Sequence, residues 1–252
     1  MLRALLIITL LVAAPARAEE VVAGLSQNRI SITTNFDGSE ILIFGAVKRE
    51  TAIPAEPPIH VAVTVAGPSE PLVVRKKDRR FGIWVNTEAV EVDSAPSFYA
   101  VATSGPWEEV LADVEDLRYR VSVRRAIRSV GAPDEVADAA RFTEAVIRIR
   151  EDSGLYQTHI GAVALDEQTL FSTSIALPAN LTEGDYQVRF LLTRGGEVLD
   201  VHDTEIFVQK VGLERFLYNL AHDQPLIYGF LSLFIAIAAG WGASAFFRYV
   251  RG

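Results

Sequence analysis

Cysteine is absent from all 252 residues, and the one methionine is the initiator Met1. The first absence removes disulfide staples and thiolate nucleophiles; the second removes thioether copper sites. Only four histidines occur, His60, His159, His202 and His222, and none pairs with another at metal-ligand spacing. His202-Asp203 is the best local pair, but neighbours on an alternating strand point to opposite faces, so a solvated edge is expected there. No G-x-S-x-G elbow is present, and no serine has a suggestive His or Lys nearby in sequence. A triad assembled only in space leaves no such trace, so a tethered enzyme stays as a third reading behind two non-catalytic ones. The expectation is a non-enzyme with no cofactor and no metal.

Ionisable residues are missing from Leu226 to Phe247, and Arg248, Tyr249, Val250 and Arg251 follow at once. Twenty-two helical residues cover roughly 33 Å, enough for a hydrocarbon core of about 30 Å. The other end has the three parts of a secretory signal: Arg3, the apolar run Leu5 to Val12, and Ala16-Arg17-Ala18 before Glu19. Its apolar run is short for a span, so cleavage is expected in preference to a retained anchor. The C-terminal arginines then remain inside, as the positive-inside rule requires. An Ala-rich signal and a large cysteine-free exported region point to a Gram-negative periplasm, which makes this a single-pass inner-membrane protein with a cytoplasmic C-terminus. In that setting the sequon Asn180-Leu181-Thr182 carries no weight. Residues 19–225 hold 20 Lys/Arg against 32 Asp/Glu, a net −12, so nucleic acid is not a partner.

Between those ends the pattern is mostly β. Glu40 to Val47 is apolar on both faces, hence central; Ile59, Val61, Val63 and Val65 alternate with His60, Ala62 and Thr64. Leu72 to Arg75 and Phe81 to Asn86 read as strands joined by Lys77 to Arg80, with Trp84 as a core aromatic. The period changes at Pro106, after which Trp107, Val110, Leu111, Val114 and Leu117 share a helical face. Leu117, Tyr119, Val121 and Val123 fit a strand equally well. A second helix starts at Pro133, with Val136, Ala139, Phe142, Val146 and Ile149 inward, a Glu144/Arg148 pair, and a stop at Gly154. β structure returns with Leu170 to Ala176, Tyr186 to Thr193 and Glu197 to Val208. Leu181, Gly184, Asp185 and Tyr186 suit the corner at which Ig-like sandwiches hold a tyrosine hydroxyl against backbone. The resulting division is a signal peptide 1–18, first β block 19–105, helical insert 106–154, second β block 155–211, interfacial helix 212–225, span 226–247 and tail 248–252. The fold class is an Ig-like β-sandwich with a helical insert and one C-terminal transmembrane helix.

Two basic runs need a reading. Arg75, Lys76, Lys77, Arg79 and Arg80 suit anionic lipid headgroups, an acidic partner or a solvated hairpin, and the solvated hairpin is preferred. Arg118, Arg120, Arg124, Arg125 and Arg128 are expected to pair with Glu108, Glu109, Asp113, Glu115 and Asp116. Within the span, Ala236, Gly240 and Ser244 recur every four residues, a face on which helix backbones approach closely. Phe216, Tyr218, Tyr228, Trp241, Arg248, Tyr249 and Arg251 are the expected membrane-interface residues. A span without charge excludes ion or proton conduction by this chain alone.

The run Lys210, Gly212, Glu214, Leu217, Tyr218, Ala221, His222, Pro225, Tyr228, Gly229, then Ala239-Gly240-Trp241 and Phe247-Arg248, resembles the alphaproteobacterial putative transmembrane protein family. Arg141-Phe142, Ala145, Arg148, Gly154-Leu155-Tyr156 and Leu177-Pro178-Ala179-Asn180 extend the resemblance over most of the chain. It implies a signal peptide, a periplasmic domain and one C-terminal span, and it transfers no catalytic residues. It also implies proximity to sulfite-exporter-like permeases. The expected function is an accessory subunit partnered by a multi-span, permease-like membrane protein, or by a second copy through the span. The rival is a membrane-tethered module that binds a small ligand.

Overall fold

The computed structural model describes residues 19–33, 36–49, 56–129, 139–211 and 213–251. The expected signal peptide and the start of the helix at Pro133 lie outside the described residues. The chain divides into two compact units, one formed by residues up to 208 without 31–36, the other by 31–36 and 209–252.

The first unit is mostly β. One sheet has the order β1 (Glu19–Leu25), β3 (Ser39–Arg49), β10 (Leu170–Leu177), β9 (Ala164–Asp166). The other runs β2 (Arg29–Ile32), β12 (Glu197–Lys210), β11 (Gly184–Arg194), β4 (Ile59–Ala66), β7 (Tyr99–Thr103), β8 (Tyr156–His159). Each sheet therefore draws strands from both sequence blocks: β3 lies beside β10, and β4 lies between β11 and β7.

β7 and β8 run parallel, and parallel neighbours require a crossover. The helical insert supplies it: α1 (Trp107–Val110), α2 (Asp113–Tyr119), α3 (Val123–Ala126) and α4 (Ala139–Asp152) all lie between these two strands. The larger sheet is thus covered on both faces. Phe190 on β11 meets Phe171 of the smaller sheet with ring centroids 5.9 Å apart. On the opposite face Ala62, Tyr99, Val101 and Leu191 pack with Val110, Leu111, Val121, Ile127 and Val146 of the insert. Double coverage explains why β4 is buried almost throughout despite its neat alternation.

Several local readings are corrected. Leu111 is extended, so the helix expected across Trp107 to Leu117 breaks in two, and Val114 and Leu117 end up exposed. The stretch that fitted helix or strand is helical to Tyr119; Arg120 then takes a left-handed conformation at φ 53°. Asp116 holds this turn, its Oδ1 accepting the Val121 and Ser122 amides at 3.1 and 2.7 Å and its Oδ2 the Ser122 hydroxyl at 2.7 Å. In α4, Phe142 and Val146 are buried but Ile149 is exposed, and Glu144 pairs with Arg124 rather than Arg148. The Tyr186 hydroxyl donates to the Thr182 carbonyl at 2.8 Å, which is the expected corner contact.

β5 (Ser69–Arg80) and β6 (Ile83–Pro96) form a separate two-stranded ribbon. Its base is anchored, with Val90, Val92 and Ala95 buried and Leu72 and Val74 packed against the insert's core. Lys77 to Arg80, expected as a connection, belong to β5, and the turn is Phe81-Gly82. Trp84 is corrected from core to surface: it is 69% exposed, because none of the described residues covers either face of the distal ribbon.

In the second unit, α5 (Leu213–Asp223) precedes α6 (Pro225–Arg251), with Pro225 at the first helical position, where its missing N–H costs no hydrogen bond.

Candidate functional site

Three surfaces and one buried cluster carry the chemistry of the described residues. The apolar helix comes first. Residues Pro225–Phe247, 23 in number, meet the length and composition of a membrane span. Ala236, Gly240 and Ser244 follow one another at helical spacing along it, and a Cβ added at Gly240 would meet nothing within 4 Å. Tyr228 and Trp241 are exposed on the same helix. Tyr218, on α5, stacks on His222 at 4.0 Å between centroids. The backbones of Phe216, Arg248, Tyr249 and Arg251 are helical, and their side chains lie outside the described set.

The outer face of the smaller sheet is the second surface. β3 is central, as its sequence implies, but only Ile41, Ile43 and Val47 point into the core. On the other side Val22, Leu42, Phe44 and Leu170 are between 45% and 57% exposed. The registers Val22↔Ala46↔Leu170 and Gly24↔Phe44↔Ser172 make them neighbours across three strands. Among the described residues, the strand that reads as doubly buried is therefore covered on one side only. Gly45 has no room for a side chain, since a Cβ there would lie 2.4 Å from the Phe171 ring and 2.7 Å from the Val22 carbonyl oxygen.

The third surface is an open cleft of about 290 Å³ in the helical insert, lined by Arg120, Arg124, Arg125 and Arg128 with Ser129 and Thr143. The expected pairing with the insert's own acids is realised only between Arg118 and Glu115, 2.6 Å apart. Arg124 reaches Glu144 at 3.1 Å. Asp116 is occupied with backbone amides, and among the described residues Arg120, Arg125 and Arg128 have no ion-pair partner. Residues 130–138, which connect Ser129 to α4, lie outside the described set.

The buried cluster centres on Glu19, which sequence reading passed over because its partners are distant in the chain. Its carboxylate accepts from Arg49 Nε at 2.7 Å and from Arg194 Nη2 at 2.9 Å. Arg49 also donates to the Thr169 hydroxyl at 3.3 Å and to the Gln168 carbonyl. Burial opposes ionisation of Glu19, but the two guanidiniums outweigh it and hold the carboxyl below its ordinary range. Next to it, Asp200 accepts the Val21 amide at 2.9 Å. The cluster joins β1, β3 and β11.

The four histidines are dispersed. His60 meets the Ser104 hydroxyl at 3.2 Å, His159 the Gln157 side chain at 3.0 Å, and His222 the Tyr218 carbonyl at 2.9 Å, while His202 lies beside the Phe190 ring. Among the described residues no group of three or more His, Asp and Glu side chains is placed to hold a metal ion.

A mostly β unit followed by one apolar helix of spanning length defines a candidate single-span membrane protein. The chain belongs to the family described as "Putative transmembrane protein (Alph_Pro_TM)", which matches residues 20–249. No curated protein matches it. Among solved structures it is similar to Spo0M, the sporulation control protein of Bacillus subtilis, at 10% identity and a TM-score of 0.28, over 82% of this chain and 55% of that one. The chain thus spans about half the length of that structure.

Proposed function

We propose that this protein is a non-catalytic accessory subunit of a membrane complex, possessing an Ig-like periplasmic domain and docking a multi-span, permease-like partner. In this reading residues 1–18 are removed on export, the helix 226–247 crosses the inner membrane, and the tail 248–252 is cytoplasmic. The observation that carries it is the outer face of the smaller sheet. Val22, Leu42, Phe44 and Leu170 form a contiguous apolar patch on a central strand, a composition that marks a protein-binding face more than a solvated one. The span adds a second contact through Ala236, Gly240 and Ser244, whose small side chains suit close helix approach.

The test is affinity purification of the intact protein from native membranes in mild detergent, followed by mass spectrometry. The expected result is a stoichiometric multi-span partner, lost with Phe44→Glu and weakened with Gly240→Leu, while each variant stays folded. Recovery of the same proteins with both variants, or of this chain alone, refutes the reading. The four-arginine cleft supports a second reading, a tethered module for a small anion. It predicts a rise in melting temperature on addition of inorganic sulfate or phosphate, abolished by Arg125→Ala together with Arg128→Ala.

A further inference from the structure

We propose that the tip of the β5–β6 ribbon is a membrane-docking element that rests on an anionic bilayer surface. The turn is the first sign. Phe81 and Gly82 both have positive φ, 51° and 86°, as the two central residues of a type I′ hairpin must. Asn or Gly ordinarily fills the first of these positions, because a bulky residue is strained there. A phenylalanine instead stands at the most exposed point of the ribbon and touches nothing that would favour it locally. Ile83 and Trp84 follow it, 65% and 69% exposed.

Charge points the same way. Between Arg75 and Glu88 five cations face two acids, on a domain that is otherwise strongly acidic. Lys76 pairs with Glu88 at 2.9 Å, whereas Arg75, Lys77, Arg79 and Arg80 have no ion-pair partner among the described residues. Apolar tip residues flanked by unpaired cations match the interface of an anionic bilayer, where aromatic rings sit at headgroup depth and lysine or arginine meets phosphate.

The register separates a bilayer from an acidic protein as the occupant. Arg79 stands opposite Trp84 and Arg80 opposite Ile83, so consecutive positions place one large apolar residue and one arginine on each face of the ribbon. A protein groove reads one face of a strand pair. A fluid bilayer surrounds the tip and engages both faces together. The ribbon's base is fixed in the core while the distal parts of its strands, residues 75–80 and 83–89, extend roughly 20 Å beyond it, so the tip is presented away from the base.

The cysteine-free chain allows a direct test on the full-length protein in nanodiscs. Phe81→Cys, or Glu197→Cys as a control at the exposed start of β12, carries an environment-sensitive fluorophore, and quenching by nitroxide-labelled lipids reports contact. The expected result is quenching at position 81 in discs containing phosphatidylglycerol, with little at 197. It should weaken in phosphatidylcholine discs and with Lys77→Glu, Arg79→Glu and Arg80→Glu combined, by about fivefold per cation removed. Phe81→Asn separates docking from folding. On a chain labelled through Thr87→Cys, Phe81→Asn should reduce quenching at least severalfold while leaving the melting temperature equal or higher, since asparagine suits the turn better. A label at 81 that remains unquenched in phosphatidylglycerol discs, with circular dichroism unchanged, overturns the proposal. So does quenching that ignores lipid charge. Neither outcome depends on a partner protein, so each is independent of whether the accessory-subunit reading holds.

Discussion

Glu19→Gln should cost this protein about 3 kcal/mol of stability at neutral pH, and the loss should vanish in acid. The Glu19 side chain is 5% exposed, Arg49 is 7% and Arg194 is 18%. The carboxylate therefore screens two guanidiniums that water reaches poorly. Replacing it by an amide keeps the shape but removes the carboxylate charge that both guanidiniums contact. Breaking one partner of a buried ion pair typically costs about 3–5 kcal/mol, and the partial exposure of Arg194 argues for the lower end. The pH dependence follows from the lowered pKa of Glu19. A carboxyl whose folded pKa lies below its unfolded value contributes in full above the unfolded value, near 4.5. That contribution declines as pH falls toward and through the folded pKa. Urea titration at low ionic strength, followed by near-ultraviolet circular dichroism in detergent, measures it; guanidinium salts would screen the interaction. The difference between wild type and Glu19→Gln should be largest from pH 6 to 8 and shrink steadily below about pH 4.5. A difference under about 0.5 kcal/mol at pH 7, or one that is constant down to pH 3, would show that the Glu19 charge does not stabilise the fold through the two guanidiniums.

Other perturbations test other layers of the structure. Tyr186→Phe removes the 2.8 Å bond to the Thr182 carbonyl and should lower stability by about 1 kcal/mol in the same urea assay. Gly45→Ala forces a methyl against the backbone carbonyl of Val22, which cannot swing away, and should destabilise by about 1–3 kcal/mol, visible as a lower melting temperature. Burial raises the Tyr186 hydroxyl and pushes those of Tyr99 and Tyr156 up to about 12, so an ultraviolet titration should show phenols that ionise well above the ordinary value near 10. Because the folded pKa values of Tyr99 and Tyr156 exceed the unfolded value near 10, they stabilise the fold fully below pH 10 and lose that contribution as pH rises toward 12.

How much of this was readable in the sequence depended on the range of the interaction. Local signals carried well: the period change at Pro106 marks the insert, Glu40 to Val47 marks a central strand, and the Tyr186 corner reaches a carbonyl only four residues away. The apolar helix was plain because its signal is composition over a long window. Burial failed wherever it depended on a partner elsewhere in the chain. Trp84 has the pattern of a core residue, yet among the described residues no second layer lies beside the distal ribbon. Phe44 and Leu42 look interior and face outward. Glu19, Arg49 and Arg194 are unremarkable individually, and nothing in their spacing announces that three strands bring them together. The arginines of the insert were expected to be neutralised locally, but Asp116 was already committed to the turn after α2.

The interleaving of early and late strands sets a clock on biogenesis. β3 ends at Arg49, and its neighbour β10 does not begin until Leu170. At a synthesis rate of about 5–20 residues per second, those 120 intervening residues take roughly 6–24 s to appear. During that interval the run Ile41 to Phe44 has one sheet neighbour at most, in a segment whose composition favours intermolecular pairing. The run from Ile41 to Phe44 gains its second sheet neighbour only once Leu177 has emerged. Depletion of holding chaperones should therefore reduce the chain's yield before any substitution in its mature fold does.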